Sequence, residues 1–466
     1  MKKTGFTDFT EGSIPKHLLA FALPMLIGNA LQALYNTVDS FWVGRYLGAN
    51  ALAAVSVSFP VTFILISLVM GITMATTVLV SQYYGARDEA MVKRVVSNSI
   101  AMLAVGAGAV SVLGVIFSRP ILTLINTPPE LMDQAVAYLN VILGGLVFAF
   151  GYNVFSAILR GLGDSRTPLL FLIYATVTNI ILDPLMIFGI GPFPKMGVVG
   201  AAWATIIAQA LSTALAIRHL NRQNHLIQVN WREFRFDRKL IGLTVKIGLP
   251  AGVQQTLVSL GMTVVMSIIN RFGADVVAAF GAGSRLDQFA NMPAMSIGLA
   301  VSALVGQNLG AGKDERVKEV VKWGAITAAS MASVVALTAF FAPKLLISLF
   351  LKEPAVLAAG AQYLRIIAFS YIPFAIMFTT TGVMRGAGDS VPTMVFSLVS
   401  LWIVRVPLAS YLSGRIGING VWIAMVVSSV IGLAMSYGYY LTGRWKRAAV
   451  VHGPRGGIPE PDPSGD

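Results

Sequence analysis

The sequence predicts an all-α membrane protein of twelve transmembrane helices, arranged as two six-helix bundles related by pseudo-twofold symmetry about the membrane normal. Three observations carry that expectation: an apolar composition, a succession of long hydrophobic runs, and a single repeat interval. Hydrophobic residues make up 56% of the 466-residue chain and charged residues only 12%, whereas about a quarter of an ordinary soluble domain is charged. Runs of roughly 18 or more apolar residues follow one another with short polar links, each long enough to cross about 30 Å of hydrocarbon. Motifs in the first half of the chain then return some 225 positions later.

The runs place first-half spans near 16–43, 51–80, 95–117, 133–158, 169–189 and 198–217. Second-half spans fall near 242–270, 276–305, 320–342, 358–384, 391–412 and 418–442. Prolines at 24, 60, 184, 250, 293, 373 and 407 fall inside spans, where a helix loses a backbone hydrogen bond and can bend. The expected organisation is a short N-terminus (1–15), a first bundle (16–217), a basic linking loop (218–241), a second bundle (242–442) and a disordered tail (443–466). The tail is rich in Pro, Gly and charge. The first apolar run extends well past the length of a signal peptide's core and is expected to remain as a span.

The repeat is explicit. Leu79-Val80-Ser81-Gln82-Tyr83-Tyr84-Gly85-Ala86 is matched by Leu304-Val305-Gly306-Gln307-Asn308-Leu309-Gly310-Ala311, and Arg160-Gly161-Leu162-Gly163-Asp164-Ser165 by Arg385-Gly386-Ala387-Gly388-Asp389-Ser390. Both pairs are 225 apart, as are Tyr138-Leu139 and Tyr363-Leu364. Six spans return the chain to its starting side, so the halves share one orientation, with a cavity expected between them and alternating access by rocking.

Charge sets the orientation. Of the 34 basic residues, twenty-three fall on the side of the N-terminus. Seven fall on the other side (Arg45, Arg119, Lys195, Arg271, Lys344, Lys352, Arg415) and four within spans (Lys246, Arg285, Arg365, Arg405). The positive-inside rule therefore places both termini in the cytoplasm, in a plasma or inner membrane. It also accounts for the net charge of +13 without nucleic acid. The basic loop residues set topology and meet acidic lipid heads.

Several chemistries are excluded. The chain has no cysteine, hence no disulfide or thiolate site. His17, His219, His225 and His452 show no ligand spacing. Gly310-Ala311-Gly312-Lys313-Asp314 lacks the first glycine and the hydroxyl of a phosphate-binding loop. No enzyme activity, metal or cofactor is expected, and pumping would draw on an ion gradient.

A carboxylate within a span costs about 2.5–3.5 kcal/mol on insertion scales and so demands a reason. Asp39 stands about five residues before the turn at Gly44, and Asp183 about six before Gly189. At 1.5 Å per residue both reach a similar depth in the outer half of the first bundle, where one pocket could hold both. Asn179 precedes Asp183 by four residues and Tyr35 precedes Asp39 by four, so each pair shares a helix face. Gln32, Tyr138, Asn153, Ser156, Thr176 and Thr205 are the further polar candidates, with Asn153 and Ser156 nearer the cytoplasm. Removal from water favours the protonated form of a carboxyl, and a second carboxylate nearby favours it further. The same oxygens could hold Na+.

The paired Arg-Gly-x-Gly-Asp-Ser loops, Asp39-Ser40-Phe41-Trp42-Val43-Gly44 and Arg285-Leu286-Asp287-Gln288 resemble multidrug and toxic compound extrusion (MATE) transporters over about residues 12–445. The resemblance implies export of amphipathic, often cationic compounds in exchange for H+ or Na+. Members resembling the NorM branch carry acids in the seventh and tenth spans. Here the seventh offers Gln254 and Gln255, and 358–384 has no acid. The Asp39/Asp183 pattern instead resembles the DinF branch, whose site lies in the first bundle. In the second bundle Gln254 and Asp287 remain candidates, with Asp287 expected to pack or pair with Arg405 or Arg365. The repeated loops are expected to be structural, their glycines permitting tight turns and their Asp capping the next helix. The expected function is a monomeric, proton-favoured multidrug antiporter, with a flippase for lipid-linked sugars as the alternative.

Overall fold

In a bilayer core every backbone N–H and C=O must be satisfied within the protein, which leaves helices as the economical solution for apolar runs of this length. The computed structural model describes residues 6–223 and 237–451, and among them there is no strand. The basic stretch 224–236 with Arg232 and Arg235, His225, and the tail from His452 onward lie outside the described residues.

Helices α1 (Ile14–Trp42), α2 (Ala49–Gly85), α3 (Glu89–Leu124), α4 (Pro129–Gly144), α5 (Leu146–Gly161), α6 (Arg166–Phe188) and α7 (Val198–Gln223) form the first half. The second half holds α8 (Arg238–Ile269), α9 (Ala274–Gly310), α10 (Asp314–Phe341), the short α11 (Pro343–Ser348), α12 (Pro354–Ala387), α13 (Ser390–Leu398), α14 (Val406–Ile416) and α15 (Ile418–Leu441). Among the described residues eleven helical stretches are long and apolar enough to cross a membrane, and the bent pair α4–α5 makes a twelfth. Large apolar side chains such as Val112, Ile116 and Leu124 point outward at 61%, 63% and 83% exposure. That arrangement suits hydrocarbon rather than water.

Three local features differ from the sequence expectation. The single span expected over 133–158 is two helices bent by 44°. They meet at Gly145, where a Cβ would collide with Ile206 of α7. π-helical turns run over Val43–Leu47 and over Val399–Arg405, the latter interrupting the eleventh span. The first residues of the expected tail are ordered, with a 3₁₀ turn at Arg444–Ala448 that buries Trp445 to 2% exposure.

The chain divides into two compact units. The first comprises Pro24–Thr77 and Ala90–Gly252. Its interior is apolar, with Ala54, Val69, Leu122, Leu139, Leu143 and Phe150 brought together from α2 to α5, and α4, α5 and α6 all pack on α7. Where α2 and α8 meet in this unit, a Cβ at Gly71 would strike the Gly248 carbonyl, so only glycine allows the approach. The second unit comprises Thr7–Leu23, Val78–Glu89 and the described residues from Val253 to Val451. Helix α12 runs through it against α9, α10 and α15. Trp422 stacks on Phe280 at 5.6 Å and meets Tyr363 edge-on at 4.6 Å.

The paired glycine loops behave as turns. Gly163 and Gly388 both have φ near +88°, a conformation that L side chains avoid. Asp164 caps α6, its Oδ1 accepting the N–H groups of Arg166 (2.9 Å) and Thr167 (3.0 Å). Asp389 instead accepts the Tyr439 hydroxyl at 2.7 Å.

Candidate ion site

Helices α1, α4, α6 and α7 bring the first-unit candidates together. Asp183 and Asn179, one turn apart on α6, are completely buried, and Asn179 Nδ2 donates to Asp183 Oδ1 at 3.0 Å. Asp39, on α1, is half-buried and lies within electrostatic reach of Asp183. Tyr35 and Tyr138 each lie within reach of both acids. Tyr35 also faces Thr205 of α7, although its hydroxyl makes no well-formed hydrogen bond.

An aromatic and aliphatic core adjoins this cluster through Tyr138. Val43, Ala51, Ile187, Val198 and Ala201 form a buried core against which Trp42, Phe188 and Tyr138 pack. The π-helical turn after α1 and the left-handed Gly189 cap after α6 let the chain reverse beside it.

Hydrogen bonding is incomplete in a specific way. Asp183 Oδ2, Asn179 Oδ1, Asp39 Oδ1 and the Tyr35 hydroxyl are buried and find no partner in the protein. Of the twelve described side-chain atoms in that condition, nine belong to the first unit. Buried polar atoms are nearly always paired, so the unpartnered oxygens of Asp183, Asn179, Asp39 and Tyr35 leave a place able to receive a proton or a small cation. Among the described residues no group of three or more acids, histidines or cysteines forms a metal cluster.

The weaker candidates divide. Thr176 is buried at 2% exposure, three residues before Asn179, with an unpartnered hydroxyl. Ser156 is buried beside Tyr152 and shows no interaction with either acid. Asn153 is exposed and donates to the Ala149 carbonyl at 2.8 Å. Gln32 is exposed and donates to Asn36 at 3.4 Å. None of these last three joins the acid pair. Residues outside the sequence expectation also carry unpartnered oxygens, Gln209 and Asn140 among them. Gln209 follows Thr205 by one turn of α7, and that polar i,i+4 pair on an apolar helix was the available signal.

The second unit arranges its acid differently. Asp287 of α9 pairs with neither Arg405 nor Arg365. It accepts hydrogen bonds from the hydroxyls of Tyr363 and of Tyr371 (2.5 Å), both on α12. Arg405 is held by Ser428 at 2.7 Å and by the Met262 sulfur. The reason is positional: two tyrosines two turns apart on α12 reach the carboxyl first, one to each oxygen. Gln254 donates to Ser397 at 2.7 Å and accepts from Arg385 at 3.2 Å and Thr393 at 3.3 Å.

Comparison with known proteins agrees with this architecture. The model of the MatE family matches residues 24–185 and again 250–411. The chain is 35% identical to the probable multidrug resistance protein YpnP of Bacillus subtilis, over 94% of this chain and 97% of that one. It is 29% identical to the probable multidrug resistance protein NorM of Thermotoga maritima, over 94% of each. A crystal structure of MATE in complex with MaL6 shares the fold, with a TM-score of 0.88 at 22% identity over 96% of this chain and 100% of that one. The twice-matched model and the relatives spanning nearly the whole chain establish it as a multi-pass membrane transporter of the MatE family.

Proposed function

We propose that this protein is a cation-coupled multidrug antiporter of the DinF-like kind, with Asp39 and Asp183 as the coupling acids and H+ favoured over Na+ as the ion. The observation that carries the reading is the pair of buried, unpartnered carboxylate oxygens, Asp39 Oδ1 and Asp183 Oδ2, on acids within reach of one another. With the site open outward, a proton on one acid removes a negative charge and ends its attraction for a cationic substrate. Asn179 and the tyrosines Tyr35 and Tyr138 offer hydrogen bonds that re-form around either protonation state. Opening inward returns the proton and restores the charge that draws the next substrate. Multidrug resistance names among the relatives support amphipathic small molecules as substrates. In this reading the protein is a plasma-membrane monomer with both termini cytoplasmic, the two bundles being the moving parts.

The test is dye efflux from proteoliposomes under an imposed pH gradient and, separately, a sodium gradient. Unaltered protein is compared with Asp39→Asn and Asp183→Asn. Coupled efflux that fails in both variants supports the assignment. Normal pumping by both variants overturns it, and lipid movement without drug efflux would return the flippase.

A further inference from the structure

Gln82 and Gln307 stand 225 positions apart, at matching places in the two halves. One lies near the end of α2 and the other near the end of α9, and both belong to the second unit. Each is completely buried. A buried carboxamide needs partners, and each of these finds them in a terminal segment of the chain.

Gln307 holds the N-terminal segment. Its Oε1 accepts the N–H of Phe9 at 2.9 Å. Asn308 Nδ2 donates to the Phe9 carbonyl at 3.2 Å, Arg316 donates to the carbonyls of Phe9 (3.2 Å) and Gly12 (3.1 Å), and Lys313 Nζ donates to that of Thr10 (2.9 Å). The Phe9 ring is 1% exposed and meets Phe21 edge-on at 5.3 Å.

Gln82 holds the other end. Its Oε1 accepts the N–H groups of Val450 (2.8 Å) and Val451 (3.2 Å), while Nε2 donates to the Gly386 carbonyl at 2.9 Å. Buried Trp445 donates to the Tyr440 carbonyl at 3.0 Å, and Lys446 pairs with Asp314 at 2.7 Å.

The two glutamines also mark where α2 and α9 cross backbone to backbone. A Cβ at Gly85 would collide with the Gln307 carbonyl, one at Gly310 with the Gln82 carbonyl, and one at Gly306 with Ser81. Ser81 is itself completely buried in this contact.

We propose that the two terminal segments are latches, each fastened by one of the twin glutamines, that hold the α2–α9 crossing shut and release it when the crossing opens. The proposal rests on the transport reading. The bodies of α1 and α2 belong to the first unit, whereas Thr7–Leu23 and Val78–Glu89 belong to the second. The chain therefore passes from one unit to the other within α1 and within α2, close to the latched segments. The fastenings suit release, being hydrogen bonds to backbone groups, each of modest net strength and able to re-form.

The chain's lack of cysteine allows a direct test. Full-length Ser81→Cys protein in nanodiscs, where both faces meet solvent, is treated with a membrane-impermeant maleimide. Val450→Pro/Val451→Pro removes both N–H donors to Gln82 without touching a span, and Gln307→Ala removes the acceptor of Phe9. Each is expected to speed labelling roughly fivefold to tenfold, the effect of losing one or two such bonds. Labelling unchanged by either alteration, or accelerated only by Gln307→Ala and not by the proline pair, overturns the latch. Drug efflux by the unaltered protein is a separate assay. If the unaltered protein fails to pump but the labelling pattern holds, the transport reading falls and the latch remains.

Discussion

Tyr138 and Tyr363 occupy equivalent positions in the two halves, 225 residues apart, and each stands against an acid. The acids do not repeat. Position 287 corresponds by the same interval to Thr62, Asp39 corresponds to Val264 or Val265, and residues 390–416, which match the Asp183 span, contain no acid. The two acid environments also differ in kind. Asp287 has a tyrosine donor on each oxygen, whereas Asp39 and Asp183 share their surroundings and each keeps an oxygen without a protein partner. Duplication thus accounts for the scaffold, and the acids are departures from it.

If unfilled oxygens distinguish a working acid from a structural one, Asp183→Asn must have the largest effect on transport. Asp183 is completely buried, and its replacement keeps the shape but cannot lose or gain charge. The drug ratio sustained by proteoliposomes under a gradient is expected to fall by up to about fifty-fold, the ratio one charge crossing 100 mV can maintain. Asp39→Asn should cost less, roughly tenfold, because Asp39 is only half-buried and its neighbour retains the coupling charge. An Asp39 variant more damaged than the Asp183 variant would reverse the ranking of the two acids.

Asp287→Asn should do the opposite. Efflux is expected to stay within about twofold of the unaltered protein, while stability falls by about 1–2 kcal/mol as two tyrosine hydroxyls lose a charged acceptor. Thermal unfolding in detergent reads the second effect and proteoliposome efflux the first. Lost efflux with unchanged unfolding would make Asp287 a working acid and break the distinction.

Much of this was legible in the residues. The spans, the 225-residue interval and the acid pair with its one-turn partner Asn179 all follow from periodicity and the cost of charge in hydrocarbon. What escaped depends on contacts between distant positions. Gly145, at the bend, lies too close to Ile206 for a Cβ, a contact with a position sixty-one residues away on another helix, and an apolar run carries no sign of it. Tyr363 and Tyr371 reach Asp287 from 76 and 84 positions away, so opposite charge suggested the arginines instead. Gln82 and Gln307 stood out only as repeat markers, because the segments they bind lie at the far ends of the chain.

The smallest expected effect sharpens the comparison most. Tyr371→Phe deletes one hydroxyl, leaves the ring, and leaves Asp287 with its bond from Tyr363. A single interhelical hydrogen bond in a membrane protein contributes about 0.6 kcal/mol on average, so unfolding should shift slightly and efflux not at all. Tyr138→Phe is the matching change in the other bundle. There the hydroxyl stands near two acids that keep unpartnered oxygens, so its loss should alter the pH dependence of efflux while leaving unfolding nearly unchanged. The same substitution at equivalent positions then reads out stability in one bundle and coupling in the other. Identical responses at both positions would mean that the tyrosines serve only packing, and that the unpaired oxygens of the first bundle do not set it apart.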